Sequence, residues 1–263
     1  MPSGSDEDTS GPPSVLVEDL SIQYRRLRLA TADDALQVPL WRRKQKRVVP
    51  ALKGVSFAVP RGVTFAVIGA NGAGKTTLLR AIAGIIAPDE GRITVRGRST
   101  PLLARGVGFN RELTGRQNVL LGGLAAGLSR DEIFEIYPEI EAFAELGDFM
   151  NSPLKSYSTG MVGRLAFSLA VHLDPGVLLI DEGLSAGDAR FKDKTLKKMR
   201  SLCEEDRTVL LVTHAMGVVK EWADQAAWLD HGRLVAIGPP AEIVGKYLSF
   251  QGVSEEAAAV EEL

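Results

Sequence analysis

Cysteine is almost absent from this sequence: Cys203 stands alone among 263 residues. A single thiol cannot close an intramolecular disulfide, and nothing resembles a thiolate metal cluster. Its neighbours Met199 and Leu202 give Cys203 the setting of a half-buried helix position rather than of a reactive thiol. Excess positive charge is missing too. The formal net charge is -2, so no global basic field argues for nucleic acid, and none is expected as a partner. The N-terminus lacks the charged-then-apolar pattern of a signal peptide. No apolar run approaches the ~18 residues a membrane span needs. These absences lead to the expectation of a cytosolic protein whose contact with a membrane runs through a partner. No internal repeat is present. The rest of the composition, 45% apolar and 24% charged, is that of an ordinary globular chain holding one large domain or a domain with a subdomain.

What is present centres on Gly69-Ala70-Asn71-Gly72-Ala73-Gly74-Lys75-Thr76-Thr77, which fits G-x-x-x-x-G-K-[ST]. Val63 to Ile68 before it is a β-branched and aromatic run of the kind that forms a buried parallel strand. Leu78 to Gly84 after it is an apolar helix pattern closed by a glycine. Strand, glycine loop and helix in that order make the motif credible. Glycines let successive backbone N–H groups of the loop turn toward a phosphate chain. The following helix N-terminus adds a favourable partial charge. Lys75 is expected to reach the β- and γ-phosphates, and the Thr76 hydroxyl to ligate Mg²⁺.

Elsewhere the pattern is α/β with a helical insertion. Residues 1–13 carry no apolar anchor and are expected to be disordered. Val15–Tyr24 and Val55–Val59 read as strands of a small antiparallel layer, joined later by Arg92–Gly97. Between the first two, the insert 25–50 carries Arg25, Arg26, Arg28, Arg42, Arg43, Lys44, Lys46 and Arg47 against Asp33 and Asp34. This run reads either as a solvated loop or as a surface for anionic headgroups, with Trp41 as an interfacial anchor. From 113 to 173 the character is helical. Thr114 is an N-cap for Arg116–Leu124, and Ser129 with Glu132 forms a capping-box spacing before Arg130–Tyr137. Ile140–Leu146 reads as a separate helix, and Thr159–Leu173 as a fourth segment with an i, i+4, i+8 stripe. The expected organisation is one domain over 14–250, with its core at 14–112 and 174–250 and a helical subdomain at 113–173. Residues 251–263 form a loose acidic tail.

Three further features bear on chemistry. Val177–Ile180 is an apolar strand that delivers Asp181 and Glu182 to the sheet edge. Asp181 there can hold the Mg²⁺ shell, and Glu182 can act as general base on a water. His214 follows the apolar strand Thr208–Thr213 and points to the same edge, where it could donate to a γ-phosphate. Ser158-Thr159-Gly160 opens a helix, which reads by itself as a cap or as an anion site.

Phosphate loop, Ser158-Thr159-Gly160, Asp181-Glu182 and His214, in that order and spacing, resemble the nucleotide-binding subunit of an ABC transporter over Val15 to Phe250. The resemblance implies a P-loop NTPase of ABC type, with a mixed and largely parallel core, an antiparallel layer and an inserted helical subdomain. It implies ATP and Mg²⁺ as cofactors and a head-to-tail dimer with a second copy. It assigns phosphate contacts to Gly69, Asn71, Gly72, Ala73, Gly74, Lys75, Thr76 and Thr77. Ser158 and Gly160 become the signature that binds the γ-phosphate held by the other copy. Asp188, in Ser185-Ala186-Gly187-Asp188, becomes the D-loop residue, His214 the switch histidine and Tyr24 the aromatic that stacks on adenine. Two departures stand out. The signature reads Tyr157-Ser158-Thr159-Gly160-Met161, and the Leu102–Glu112 loop has no glutamine, leaving Asn110 or Glu112 as substitutes.

Within the family, Gly108–Asn118, Tyr157–Met161 and Gly187–Phe191 resemble the ATPases of exporters for polysaccharides carried on a polyprenyl diphosphate. Such exporters move O-antigen, teichoic acid or cell-wall galactan. The implied function is the ATP-hydrolysing subunit of an exporter, on the cytoplasmic face of the membrane and attached through a permease. Relatives with a C-terminal carbohydrate-binding domain exist, and the chain is expected to be a short form without one. The alternatives are a soluble ABC-type ATPase not coupled to transport, and a nucleotide-gated adaptor that does not hydrolyse.

Overall fold

The computed structural model describes residues 11–27, 46–97, 99–102, 109–173, 176–181, 189–204 and 207–252. The basic insert between positions 28 and 45, Glu182, Asp188 and the tail from 253 lie outside the described residues.

Strands β1 (Val15–Leu27), β2 (Lys46–Val59) and β4 (Glu90–Val95) form an antiparallel sheet ordered β2-β1-β4. A second sheet holds β3 (Thr64–Ile68), β5 (Ser99–Leu102), β6 (Val177–Ile180), β7 (Thr208–Val212), β8 (Gln225–Asp230) and β9 (Arg233–Gly238). Its order is β5-β6-β7-β3-β8-β9, and only the β8–β9 hairpin is antiparallel.

Every residue of β3, β6 and β7 is buried, as expected of continuous apolar strands covered on both faces. The alternation of strand side chains sorts them into different cores. Phe65, Val67, Val177, Leu179, Leu210 and Val212 face the antiparallel sheet and helix α1 (Lys75–Ile82). Phe65 stacks on Phe57 there, with ring centroids 5.3 Å apart. The intervening residues face the opposite way. Leu178, Ile180, Val209 and Leu211 meet α4 (Thr159–His172) and α5 (Ala189–Glu204). Ala66, Ile68, Ala226 and Trp228 meet α6 (Met216–Trp222) and α7 (Pro240–Gln251).

A further core joins α4 to α2 (Gly115–Ala125) and α3 (Arg130–Ala144). Both expected N-caps form complete capping boxes, Thr114 with Gln117 and Ser129 with Glu132. The structure corrects the division of the next segment. Arg130–Tyr137 and Ile140–Leu146 are not separate helices, because α3 runs through Pro138 to Ala144. Proline removes one helical N–H, but Phe134, the residue one turn earlier, is exposed, so water can serve its carbonyl. Ile133, Ile140 and Ala144 on the opposite side are fully buried and hold the helix together. Its C-terminal end is also served. The Lys194 ammonium donates to the Phe143 carbonyl at 3.0 Å and to Glu145 Oε1 at 2.7 Å.

The β1–β2 hairpin is longer than its alternation implies. Its ladder continues past Tyr24↔Val49 through Arg26↔Arg47 to Leu27↔Lys46. Polar and charged residues do not announce a strand, but backbone pairing does not need an apolar face to continue.

Because Pro138 sits in a helix held by packing rather than by propensity, Pro138→Ala is expected to raise stability by roughly 1–3 kcal/mol. Thermal unfolding of the two proteins checks this, and a lower Tm for the variant would mean that the proline is matched to a bend the core requires.

Candidate nucleotide-binding site

The central position of β3 fixes where the site lies. The chain leaves β3 at Ile68, turns through 69–74 and enters α1 at Lys75. Gly74 caps that helix with φ 109° and without a side-chain hydrogen bond, so no capping side chain competes with an anion at the N-terminus of α1.

The loop is pressed against the protein behind it. A Cβ on Gly69 would stand 2.1 Å from the Leu229 carbonyl oxygen, a distance no side chain tolerates. The turn of the β8–β9 hairpin supports the loop from the same side. The Gly232 N–H donates to the Ala73 carbonyl at 2.9 Å, and its own carbonyl accepts from the Lys53 N–H at 2.9 Å. Gly232 holds φ 79° within 2.5 Å (for an added Cβ) of the Ala51 oxygen, so this support requires glycine. His231-Gly232, the turn of the β8–β9 hairpin, is thus also a strut for the phosphate loop.

Lys75 is the buried cation of the site, 6% exposed. Its ammonium donates to the carbonyls of Gly69 at 2.5 Å and Ala70 at 3.1 Å. It also lies 3.2 Å from His214 Nε2, which accepts when that nitrogen is unprotonated. His214 reaches it because β7 lies directly beside β3, with Val212 in register with Val67. β6 is the next strand over, and Asp181 follows its last residue, buried at 9% exposure. Three parallel strands therefore deliver Lys75, His214 and Asp181 to one edge. Thr76 and Thr77 are half-buried in the first turn of α1. The Tyr24 hydroxyl lies 3.3 Å from Thr77 Oγ1, which sets the end of β1 beside the phosphate-loop helix. Asn71 and Gly72 are exposed at the loop's outer turn, and Ala73 is buried beneath it.

Other expected residues do not join this group. Ser158 and Gly160 stand at the N-terminus of α4, where Ser158 Oγ accepts from the Met161 N–H at 3.2 Å. That is the cap the sequence offered as one of two readings. Asn110 Oδ1 accepts from the Glu112 N–H at 3.0 Å, and Glu112 pairs with Lys155 at 2.7 Å. The described residues hold no cluster of three or more His, Cys, Asp or Glu suited to a metal. The donors do fit a magnesium ion bound with a nucleotide, since that ion takes one or two protein oxygens and fills its shell with phosphate and water. Thr76 and Asp181 are such oxygens.

A parallel sheet with a glycine loop leading from its buried strand into a helix, a buried lysine and a strand-end aspartate define a P-loop nucleotide-binding protein. The chain belongs to the ABC transporter family, whose profile matches residues 52–185, half of the chain. It is 42% identical over 212 residues to the O-antigen export system ATP-binding protein RfbB of Myxococcus xanthus, covering 81% of this chain and 48% of that protein. It is 43% identical over 200 residues to the teichoic acids export ATP-binding protein TagH of Lactococcus lactis, covering 76% and 43%. A third relative is the ABC transporter protein AbcA of Aeromonas salmonicida, 44% identical over 201 residues and covering 76% and 65%. The chain thus spans less than half the length of the first two relatives. Among solved structures, an ATP-binding subunit of an ABC transporter aligns with TM-score 0.71 and 26% identity over 94% of this chain and 98% of that one. A dimeric ATP-binding cassette in a post-hydrolysis state with ADP and Pi shares the fold, with TM-score 0.68 at 21% identity over 86% and 98%. The inserted-helix α/β fold expected from the sequence is that of these cassettes.

Two substitutions separate the loop from its support. Gly69→Ala is expected to cost about 2–4 kcal/mol through overpacking, with loss of nucleotide binding. Gly232→Ala leaves every phosphate-loop residue unchanged, yet should lower affinity for a fluorescent ATP analogue at least several-fold. Unaltered affinity in Gly232→Ala would show that the hairpin strut does not shape the loop.

Proposed function

We propose that this chain binds and hydrolyses ATP as one half of a head-to-tail dimer and drives a permease that exports a lipid-linked polysaccharide. The observation that carries the proposal is the meeting of Lys75, His214 and Asp181 at one sheet edge beside the N-terminus of α1. The export names of the relatives support the choice of cargo. The exporter as a whole, its lipid-linked substrate and its seat on the cytoplasmic face are parts of the same proposal. No helix among the described residues is long and apolar enough to cross a membrane, so the permease supplies the path.

In this reading, the 69–74 loop and the first N–H groups of α1 hold the phosphates. Gly69, Asn71, Gly72, Ala73, Gly74 and Thr77 shape that cradle, and Tyr24 stacks on the adenine. Lys75 donates to the β- and γ-phosphates, neutralising charge as it gathers on them. Thr76 and Asp181 would hold Mg²⁺, which when bound would supply positive charge against the charge of the phosphates. Glu182 accepts a proton from a water that attacks the γ-phosphorus. The bond to the β-phosphate oxygen breaks, leaving ADP and inorganic phosphate. His214 turns its hydrogen bonding from Lys75 toward the γ-phosphate. Ser158 and Gly160 of a second copy close over that phosphate, and Asp188 reaches across the interface. ATP thereby favours the closed dimer, and hydrolysis reopens it. The helical region and the loop after β5 receive the permease.

Glu182→Gln is expected to bind ATP and abolish turnover while accumulating a dimer in ATP and Mg²⁺, read by light scattering and phosphate release. A variant that still turns over, or that binds ATP and stays monomeric, would contradict the assignment. The basic insert is proposed to face anionic headgroups near the path of a diphosphate-bearing lipid. Replacing Arg42, Arg43, Lys44, Lys46 and Arg47 by glutamine should then weaken membrane recruitment and transport with ATPase activity kept. Intact recruitment and transport would contradict that placement.

A further inference from the structure

Asn118 lies inside α2 and is fully buried. A buried carboxamide must find partners for two donors and an acceptor, and asparagine is a poor helix former. Every partner it finds lies in one turn of chain. Oδ1 accepts from the Asn110 N–H at 2.8 Å. The two Nδ2 hydrogens are shared among the carbonyls of Asn110 at 3.0 Å, Leu113 at 3.1 Å and Thr114 at 2.9 Å. The turn 110–114 is therefore wrapped around this one side chain.

The outer side of the same turn is bonded to the segment that leads into Ser158. The Leu154 N–H donates to the Leu113 carbonyl at 3.0 Å, and the Lys155 N–H to the Arg111 carbonyl at 2.9 Å. The Gly115 N–H donates to the Ser152 carbonyl at 3.3 Å, and Glu112 pairs with Lys155. Beyond Lys155 the chain stays tied. The Tyr157 N–H donates to the Leu154 carbonyl at 3.0 Å and its hydroxyl to the Phe149 carbonyl at 2.5 Å, and Ser158 then caps α4. A series of hydrogen bonds thus runs from Asn110 to Ser158.

We infer that Asn118 is a positioning residue: it makes the end of the loop after β5 and the approach to Ser158 one body, so that Ser158 is presented to a second copy in a fixed orientation. This rests on the reading of Ser158 as a γ-phosphate ligand across a dimer. A carboxamide that merely filled space would be replaceable by an apolar side chain of similar volume. One that positions Ser158 would not.

The test uses the full chain carrying Glu182→Gln, with Asn118→Leu or Ser158→Ala added. Affinity for mant-ATP is measured on dilute protein without Mg²⁺, and dimerisation by light scattering against ATP concentration with Mg²⁺. For Asn118→Leu, the expected result is mant-ATP affinity within twofold of the parent and at least a tenfold increase in the ATP needed for dimerisation. If Ser158→Ala impairs dimerisation and Asn118→Leu does not, the inference is overturned. If Ser158→Ala is also without effect, the underlying reading of Ser158 fails instead. Should Asn118→Leu not fold, hydrogen exchange of the unaltered protein decides. The amides of Asn110, Leu154 and Lys155 should open together, and separate opening of Asn110 would overturn the inference.

Discussion

A buried ammonium sets the terms for this structure. Lys75 is nearly excluded from water, and a charge in that position is tolerated only where oxygen and nitrogen acceptors surround it. The carbonyls of Gly69 and Ala70 supply two acceptors, which requires the loop to curl back over its own helix. Nε2 of His214 supplies another, which requires β7 to lie beside β3 with their ends level. The loop can curl this tightly because Gly69 has no side chain to meet Leu229. Sheet order, register and glycine placement are thus conditions for holding one cation where an anionic ligand can exchange with its present partners.

The second organising feature lies away from the sheet. α2, α3 and α4 share a core of their own, built on Val119, Ile133, Ile140, Met150, Leu165 and Leu169. It joins the main body through α4, whose Phe167, Ala170 and Val171 pack against β6 and β7, and through aromatic side chains and cations. Phe143 packs against Phe167 and Phe191, Arg164 lies over Phe191, and Lys194 serves the end of α3. The residues proposed to hold phosphate sit on the main body, and Ser158 caps α4, which packs in both cores. In the proposed function, a nucleotide held between copies would act on both.

Much of this was legible in the sequence because the signals are local. The buried strands are uninterrupted apolar runs, the helix caps are spelled out at Thr114 and Ser129, and the phosphate loop carries its own spacing. The adjacency of His214 and Asp181 could be anticipated because parallel strands present their C-terminal ends to the same side. What escaped the sequence depends on tertiary partners. Pro138 reads as a helix break, and only the buried face of Ile133, Ile140 and Ala144 carries α3 through it. Gly232 reads as a turn residue, because its bond to Ala73 joins segments far apart in the chain. Asn118 looks like an unremarked polar residue in a helix. Its position four residues after the Thr114 cap, amid Val119 and Leu120, was the one available hint that it faces inward.

In the proposed function, a phosphate loop from one copy works with Ser158 from another. Mixing two inactive variants tests it most directly. Lys75→Ala loses the loop's cation and Ser158→Ala loses the signature hydroxyl, so neither homodimer should hydrolyse ATP appreciably. A mixed dimer contains one site with both groups intact, and the account predicts that phosphate release reappears on mixing and rises to a plateau as the ratio approaches equality. If each variant is inactive and every mixture stays inactive although the subunits associate, the two groups do not complete a site across the interface, and the account is wrong.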